Sequence, residues 1–491
     1  MSEVEEEQTP LPIYHRNDHK GHLPIDKDSV VIKVRDNLKK LEWSVPVYES
    51  QSYLSMPLKR TSIYKIPKFM KDIEPKEYEP HMVSFGPYHH GNKHLHQMEQ
   101  KKQKVFQHVA KDNAATFELI LSEVSKILED LYEAYDDLDH EKWRKDDDAQ
   151  AKFMQMMIID ACFLLVFFSE DERYKSQITS KSEIKRDILL LENQLPFKLL
   201  QLLYSISSIK VQEKNLTSLI KNNLFIKSEE ELWEIEHKHI LGMYRMSLLY
   251  SRIDTSVKWT MDTLIRRMKE GYYKSLSGWD HIIPQATELY KMGIKFKRTT
   301  KRLLSLYFDL KQGVLELPYL EVSNDIGTHL LNVMAFEKLY SDDTRHVMSY
   351  VRFMKNLIAD DKDVLRLISC GILSQNAISP SDVVKFFNRL AQATNKYQFN
   401  SYFIEVCQGL NYYYYYYSDK PWTRWWVNLR DPRTQKPCGL LSPLLLLLLL
   451  FSSKLPKPPS KYMNISAQII EISTFLRHPI IPSSPRTLYY I

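Results

Sequence analysis

The sequence predicts a mainly α protein: a large multi-helix body, an extended proline-rich strap lying across it, and room for one small β-hairpin. Three observations carry that reading. Glycine is rare, 12 in 491 residues, which leaves few of the tight turns that all-β folds need. Apolar residues recur at three- and four-residue steps through most long segments, the period of a helix with one buried face. Prolines at 67, 75, 80 and 87 interrupt one apolar segment that lacks a helical period, and residues preceding proline are pushed toward extended geometry.

A chain of 491 residues suffices for about three ordinary domains, or for one large helical body with tails. Its 67 basic and 61 acidic residues leave a net charge of +6, a weak field over so large a surface, and no reason to expect nucleic acid. Cys162, Cys370, Cys407 and Cys438 form no CxxC pair and read as reduced intracellular thiols. The first residues, MSEVEEEQTPLP, are acidic and polar, unlike a secretory leader. In that setting the sequons at Asn215 and Asn464 read as chance matches.

Taken in order, residues 1–29 are an acidic, polar lead with little to bury, expected to be disordered. Val30–Trp43 places Val31, Val34, Leu38 and Leu41 on one helical face. The strap is Ile63–Pro87, with Ile63, Ile66, Phe69, Val83 and Phe85 as its expected core contacts. From His94 the period turns helical: Leu95, Met98, Val105 and Val109 share a face, and Lys101, Lys102 and Lys104 are expected mostly to face away. Helix continues to about Leu131, and the acidic run Asp136–Asp148 reads as a solvated loop.

Phe153–Phe168 (FMQMMIIDACFLLVFF) is the most apolar helical segment. At 16 residues it is shorter than the ~20 a membrane span needs, so it reads as a buried core helix. Asp160 inside it must find a partner or take up a proton. Asp187–Leu200 (DILLLENQLPFKLL) puts Ile188, Leu191 and Leu195 on one face, and Pro196 cannot continue the hydrogen bonding. The spacing predicts a kink and a second segment, Phe197–Tyr204, packed as a joint against Phe153–Phe168. Glu192, Asn193 and Gln194 fall at that corner, where freed backbone groups need side-chain partners.

Beyond it, His239–Tyr250 is helical, and alternation around Val314, Leu315 and Leu317, ended by Pro318, predicts the hairpin. Helices follow at Thr328–Tyr340, Val347–Ala359, Asp361–Cys370 and Ser381–Ala391. Ser381-Asp382 supplies cap-forming oxygens for the last.

Two groups have chemical potential. His89, His90, His94 and His96, with Glu99 nearby, are the strongest candidates for a metal site, since neutral imidazoles ligate zinc. Gly91-Asn92 interrupts them, and no HExxH or paired Cys/His spacing is present, so they read as turn residues rather than ligands. Asp160 and Glu192 could form a carboxylate pair for acid–base work if their helices meet, though pairing with Lys or Arg, or capping, is the commoner use. No phosphate loop, GxSxG or Cys/His nucleophile arrangement occurs, so no catalytic residue and no cofactor is assigned. Asn411 and Tyr412–Tyr417, with Trp422, Trp425 and Trp426, make an aromatic block suited to a membrane–water boundary or a protein interface.

IYKIP at 63–67, SFGPYHHG at 84–91, Met98-Glu99 with Lys102, MMIIDACFLL at 156–165, DILLLENQLPF at 187–197, PQATELYKMGIKF at 284–296, GVLELP at 313–318 and NVMAFEK at 332–338 occur in that order. In these the chain resembles the plant domain of unknown function 247 family, from about Ile63 to Leu429. The resemblance implies a plant-specific, largely helical protein without established enzymatic activity, usually ending in one membrane-spanning helix. Some grass members are linked to pollen–stigma self-incompatibility, so recognition or signalling is the implied kind of role.

Its signature residues here are Asp160, Glu192, Asn193, Gln194 and Pro196, read as structural. After Trp425-Trp426 the pattern departs: 431–491 is a divergent tail, for which an alternative exon or a changed reading frame is the hypothesis. Its Leu-rich run at 440–451 lies in Gly439–Phe451, 13 residues broken by Pro443. As a helix it would reach ~20 Å against a hydrocarbon core of ~30 Å, a marginal anchor.

The sequence therefore leads us to expect a helical family domain over 30–430 and a non-enzymatic interaction or signalling role with protein partners. It would be associated with the cytoplasmic face of a membrane, the plasma membrane by resemblance, through its C-terminal region. The alternative is a metal-dependent hydrolase using the His89–His96 cluster.

Overall fold

The computed structural model describes residues 27–39, 61–112, 114–169, 173, 178, 180–206, 215–224, 237–249, 282–299, 306–310, 312–340, 345–374, 379–394 and 401–418. The chain divides into two compact units, Met1–Thr423 and Arg424–Ile491, and every described residue lies in the first. The divergent tail and the Leu-rich run lie outside the described residues, as do residues 1–26 of the expected lead.

The fold is mainly α. Helix α1 (Lys27–Lys39) begins three residues ahead of the expected start and buries Val30 and Val34 against the helices Ala114–Lys126 and Asp147–Ser169. The strap follows from residue 61. It holds one short helix, α2 (Lys68–Lys71), capped by Pro67, and a 3-10 turn at Pro75–Glu77 whose first residue is a proline that presets the backbone angle. Ile63, Ile66, Val83 and Phe85 are buried as expected, but Phe69 is not. A helical turn rotates successive side chains by about 100°, so Met70 points inward. Phe69 is 48% exposed, its ring beneath the Lys338 ammonium at 3.4 Å.

Helices α3 (His96–Asp112), α4 (Ala114–Lys126) and α5 (Leu128–Glu133) carry the next apolar stripe. Leu95, in a 3-10 turn at Lys93–Leu95, and Met98 and Val105 on α3 are buried as expected, with Val109 half-buried. Lys102, expected to face away, is fully buried, because a carboxylate waits for it inside.

The acidic run is more ordered than a solvated loop. Asp139 caps α6 (His140–Trp143), accepting from Lys142 N at 3.0 Å, and Trp143 is buried. Asp146 accepts from Ala149 N at 2.9 Å at the start of α7 (Asp147–Ser169). Carboxylates there satisfy unpaired amides and suit the positive end of the helix dipole.

Helix α7 is the centre of the body. Its 23 residues are long and apolar enough to cross a membrane, yet 89% of its apolar window is buried among α1, α3, α4, α6 and α9, as in a core helix. At Asp187–Leu200 the chain breaks rather than kinks. α8 (Lys181–Ile188) ends, residues 189–196 form a tight buried corner, and α9 (Phe197–Ile206) starts after Pro196. α9 packs on α7 and α4, making the expected joint.

α10 (Leu216–Asn223) has Asn215 as its N-cap, and α11 (Ile240–Leu249) follows His239. After α12 (Ala286–Lys291), the expected hairpin is one side of a three-stranded sheet, β1 (Lys295–Thr299), β2 (Tyr307–Asp309) and β3 (Val314–Pro318), in the order β1-β3-β2. β2 and β3 are antiparallel, with Phe308 opposite Leu315, while β1 joins β3 in parallel, with Lys295 opposite Val314.

Four helices then pack together: α13 (Asn324–Tyr340), α14 (His346–Leu357), α15 (Asp361–Ser369) and α16 (Pro380–Gln392). The cap of α16 is Ser379, accepting from Asp382 N, with Pro380 at the first helical position, so the helix starts ahead of Ser381-Asp382. The tyrosine run lies in α17 (Ser401–Ser418), where Tyr413 packs edge-on against Phe308 at 5.8 Å. Trp422, Trp425 and Trp426 lie outside the described residues.

Candidate functional site

An extended segment buried without a neighbouring strand leaves its amides and carbonyls in need of partners. Here side chains supply them. Ile66 N donates to Glu192 Oε1 at 2.8 Å, and Lys71 Nζ to Glu192 Oε2 at 2.6 Å. His81 N, Met82 N and Val83 N donate to the Asp187 carboxylate at 3.0, 2.6 and 3.0 Å. Phe85 N donates to Asn193 Oδ1 at 2.6 Å, while Asn193 Nδ2 returns a bond to Val83 O at 3.0 Å. The buried Arg186 guanidinium donates to Lys76 O and Glu79 O at 3.1 and 3.2 Å. The corner thus holds the strap along its length, as a missing strand would.

The corner must also hold itself. Gln194 Nε2 donates to Ile188 O and Leu190 O, and Gln194 Oε1 accepts from Leu241 N at 2.9 Å. Leu191 N donates to Asn332 Oδ1 at 2.9 Å. Pro196 O accepts from Leu199 N at 3.0 Å in the first turn of α9.

Asp160 completes the arrangement from α7. Its Oδ2 accepts from Gly86 N at 2.9 Å and its Oδ1 from Lys102 Nζ. Lys102 also donates to Ser84 O at 2.9 Å and pairs with Glu99 at 2.6 Å. Burial pushes the Asp160 carboxyl up, against the pull of the Lys102 ammonium. Asp160 and Glu192 are therefore not a carboxylate pair: each faces its own lysine. At Gly86, with φ +74°, an added Cβ would lie 2.7 Å from the Tyr135 hydroxyl and 2.9 Å from Gln194 O, so only glycine lets the backbone come this close.

The four histidines diverge. His89 is buried with Nε2 3.6 Å from Glu192 Oε2, and burial lowers its pKa to about 4, leaving the ring neutral. His90 lies edge-on to Trp143 at 5.6 Å, Nδ1 3.6 Å from Glu99 Oε2, its pKa lowered by burial. His94 donates from Nε2 to Pro80 O at 3.0 Å, and His96 is exposed at the start of α3. Among the described residues no three His, Cys, Asp or Glu side chains converge as metal ligands.

Beside the Lys102 cluster a cleft of about 430 Å3 opens between α3, α6, α7 and the turn at His90. Its walls include His90, Glu99, Gln103, Lys142 and Trp143, and Lys152, Gln155, Met156, Ile159 and Asp160 of α7. Cys162 and Cys407, whose thiols burial pushes up to about 12, are buried away from reaction.

Sequence reasoning missed several polar members of the framework. Asn332 bridges Leu191 N and Glu77 O. Glu337 accepts from Val347 N and Met348 N at the head of α14 and pairs with Arg245 at 3.0 Å. Asp363 accepts from Thr287 N at 2.8 Å as well as from its own helix start. The signal was present: Asn332 and Glu337 interrupt an apolar helical face as Asp160 does, and Glu99 and Lys102 stand three apart.

Fold and framework define a helical body belted by an extended strap, with buried carboxylates and amides as the buckle. The polar residues of the motifs at 84–91, 98–102, 156–165, 187–197 and 332–338 meet in it. The family described as plant protein of unknown function, DUF247, matches residues 63–452, and the chain belongs to that family. A UPF0481 protein of Arabidopsis thaliana is 31% identical over 408 residues, covering 77% of this chain and 82% of the relative. A putative UPF0481 protein of the same plant is 22% identical over 424 residues, covering 68% and 78%. No solved structure matches the chain. The family match runs past Trp425-Trp426 and takes in the Leu-rich run.

Proposed function

We propose that the protein is a non-enzymatic interaction or signalling module, held at the cytoplasmic face of a plant membrane, the plasma membrane, by its C-terminal region. One observation carries the non-enzymatic part. The buried groups that acid–base chemistry would draw on, Asp160, Asp187, Glu192 and Glu337, have their oxygens engaged by backbone amides and by Lys or Arg. Such groups fix a shape, and a fixed shape suits recognition of a protein partner. The tether is supported by the family match reaching residue 452, through the Leu-rich run.

The test compares plant cells expressing the full chain and a chain ended at Asp431. Membrane recovery of the first and solubility of the second are expected, and equal solubility of both would refute the tether. Proximity labelling with the two forms should give different neighbour sets. Metal analysis of the purified protein addresses the hydrolase alternative: stoichiometric zinc or manganese, lost in His90→Ala/His94→Ala, would overturn the non-enzymatic reading. No binding to generic DNA or RNA at low salt is expected from so dispersed a charge.

A further inference from the structure

We infer that the cleft between α3, α6 and α7 binds a small zwitterion bearing a primary ammonium and a carboxylate, the chemistry of a free amino acid. This site is separate from the proposed membrane tether and partner surface.

The ammonium end follows from two acceptors left open. Glu99 Oε1 is occupied by Ser84 Oγ and Lys102 Nζ, each at 2.6 Å. Glu99 lines the cleft, and its Oε2 lies 3.6 Å from His90 Nδ1, beyond hydrogen-bond reach. That nitrogen is shielded from solvent and has no hydrogen-bond partner. With its proton on Nε2, the ring offers a lone pair at Nδ1. Two acceptors 3.6 Å apart, one of them anionic, can be bridged by the divergent donors of one ammonium group. Lys102 is already shared between Glu99 and Asp160, so its one ammonium serves both carboxylates.

The carboxylate end follows from Lys142 at the rim. Its ammonium donates to His90 O at 3.2 Å and lies 4.6 Å over the Trp143 ring, and no carboxylate among the described residues pairs with it. It stands free to meet a guest anion. Between the two ends Met156, Ile159 and Trp143 give an apolar wall. A volume of about 430 Å3 lies at the small end of ligand pockets and suits one small molecule. A polyamine would meet Lys142 and Lys152 unfavourably, and inorganic phosphate would face the Glu99 and Asp160 carboxylates.

The experiment is calorimetric titration of the purified full chain with L-leucine, L-methionine and L-phenylalanine. N-acetyl-L-leucine, which lacks the ammonium, and isopentylamine, which lacks the carboxylate, serve as matched probes. Gln103→Trp, which fills the cleft from an exposed position, and Lys142→Ala, also exposed, are the variants; equal melting temperatures establish that they fold. At least one amino acid should bind, with each matched probe about tenfold weaker or more. Lys142→Ala should weaken binding about tenfold and Gln103→Trp should abolish it. Three results would overturn the inference: no amino acid binding at about 10 mM, binding that persists in either variant at full strength, or isopentylamine binding as tightly as leucine.

Discussion

Lys102 and Asp160, 58 positions apart, form an ion pair whose side chains are 0% and 1% exposed. Each also reaches the strap, Lys102 through Ser84 O and Asp160 through Gly86 N. Removing one partner strands a charge in a place water does not reach. Asp160→Leu or Lys102→Met alone should therefore cost about 3–5 kcal/mol, and the double variant less than the sum of the two. Urea unfolding of the three variants measures the coupling.

Asn193→Asp keeps the shape of the side chain and reverses part of its chemistry. The amide nitrogen now donates to Val83 O and Asp187 O; a carboxylate would face both carbonyls without a donor. A loss of about 2–3 kcal/mol is expected, larger than for Glu192→Gln, which keeps an acceptor for Ile66 N. Glu192→Ala, leaving that amide unpaired, should fall by about 1–3 kcal/mol and speed exchange of the Ile66 amide hydrogen. An unchanged melting temperature in Glu192→Ala together with lost partner binding would contradict a structural role.

Gly86→Ala tests the closest approach in the framework. The left-handed backbone costs a non-glycine residue about 1 kcal/mol or more, and the added Cβ would press on Gln194 O, a backbone atom that cannot rotate away. A drop in stability of about 2–4 kcal/mol by chemical denaturation is expected. Gly91, also at positive φ but with open space around it, should tolerate alanine better.

His239 gives a pH signature. Burial lowers its pKa from 6.5 to about 3, so the unfolded chain binds a proton that the folded chain refuses. Its contribution is full above pH 6.5 and is lost as pH falls toward 3, at about 1.4 kcal/mol per unit once the unfolded ring is charged. Asp160 and Glu337, both raised by burial, Glu337 to about 7, act with the opposite sign, their contribution declining as pH rises. The difference between the native protein and His239→Asn, which keeps an acceptor for Gly242 N, isolates the histidine. The variant should lose less stability on going from about pH 6 to pH 5.

The sequence by itself determined the helical class, the buried character of Phe153–Phe168, a new helix starting after Pro196 and the family. Those properties rest on local periodicity and on motifs read in order. It also showed that Asp160 and Glu192 needed partners. Only the tertiary structure decided which: Lys102 for the first, Lys71 and the Ile66 amide, 126 positions away, for the second. It likewise turned Lys102 inward and Phe69 outward, and sent the four histidines apart. A side chain's period along a helix is set by its neighbours in the chain. Its hydrogen-bond partner is set by whichever segment packs across from it, and no spacing within the helix specifies that segment.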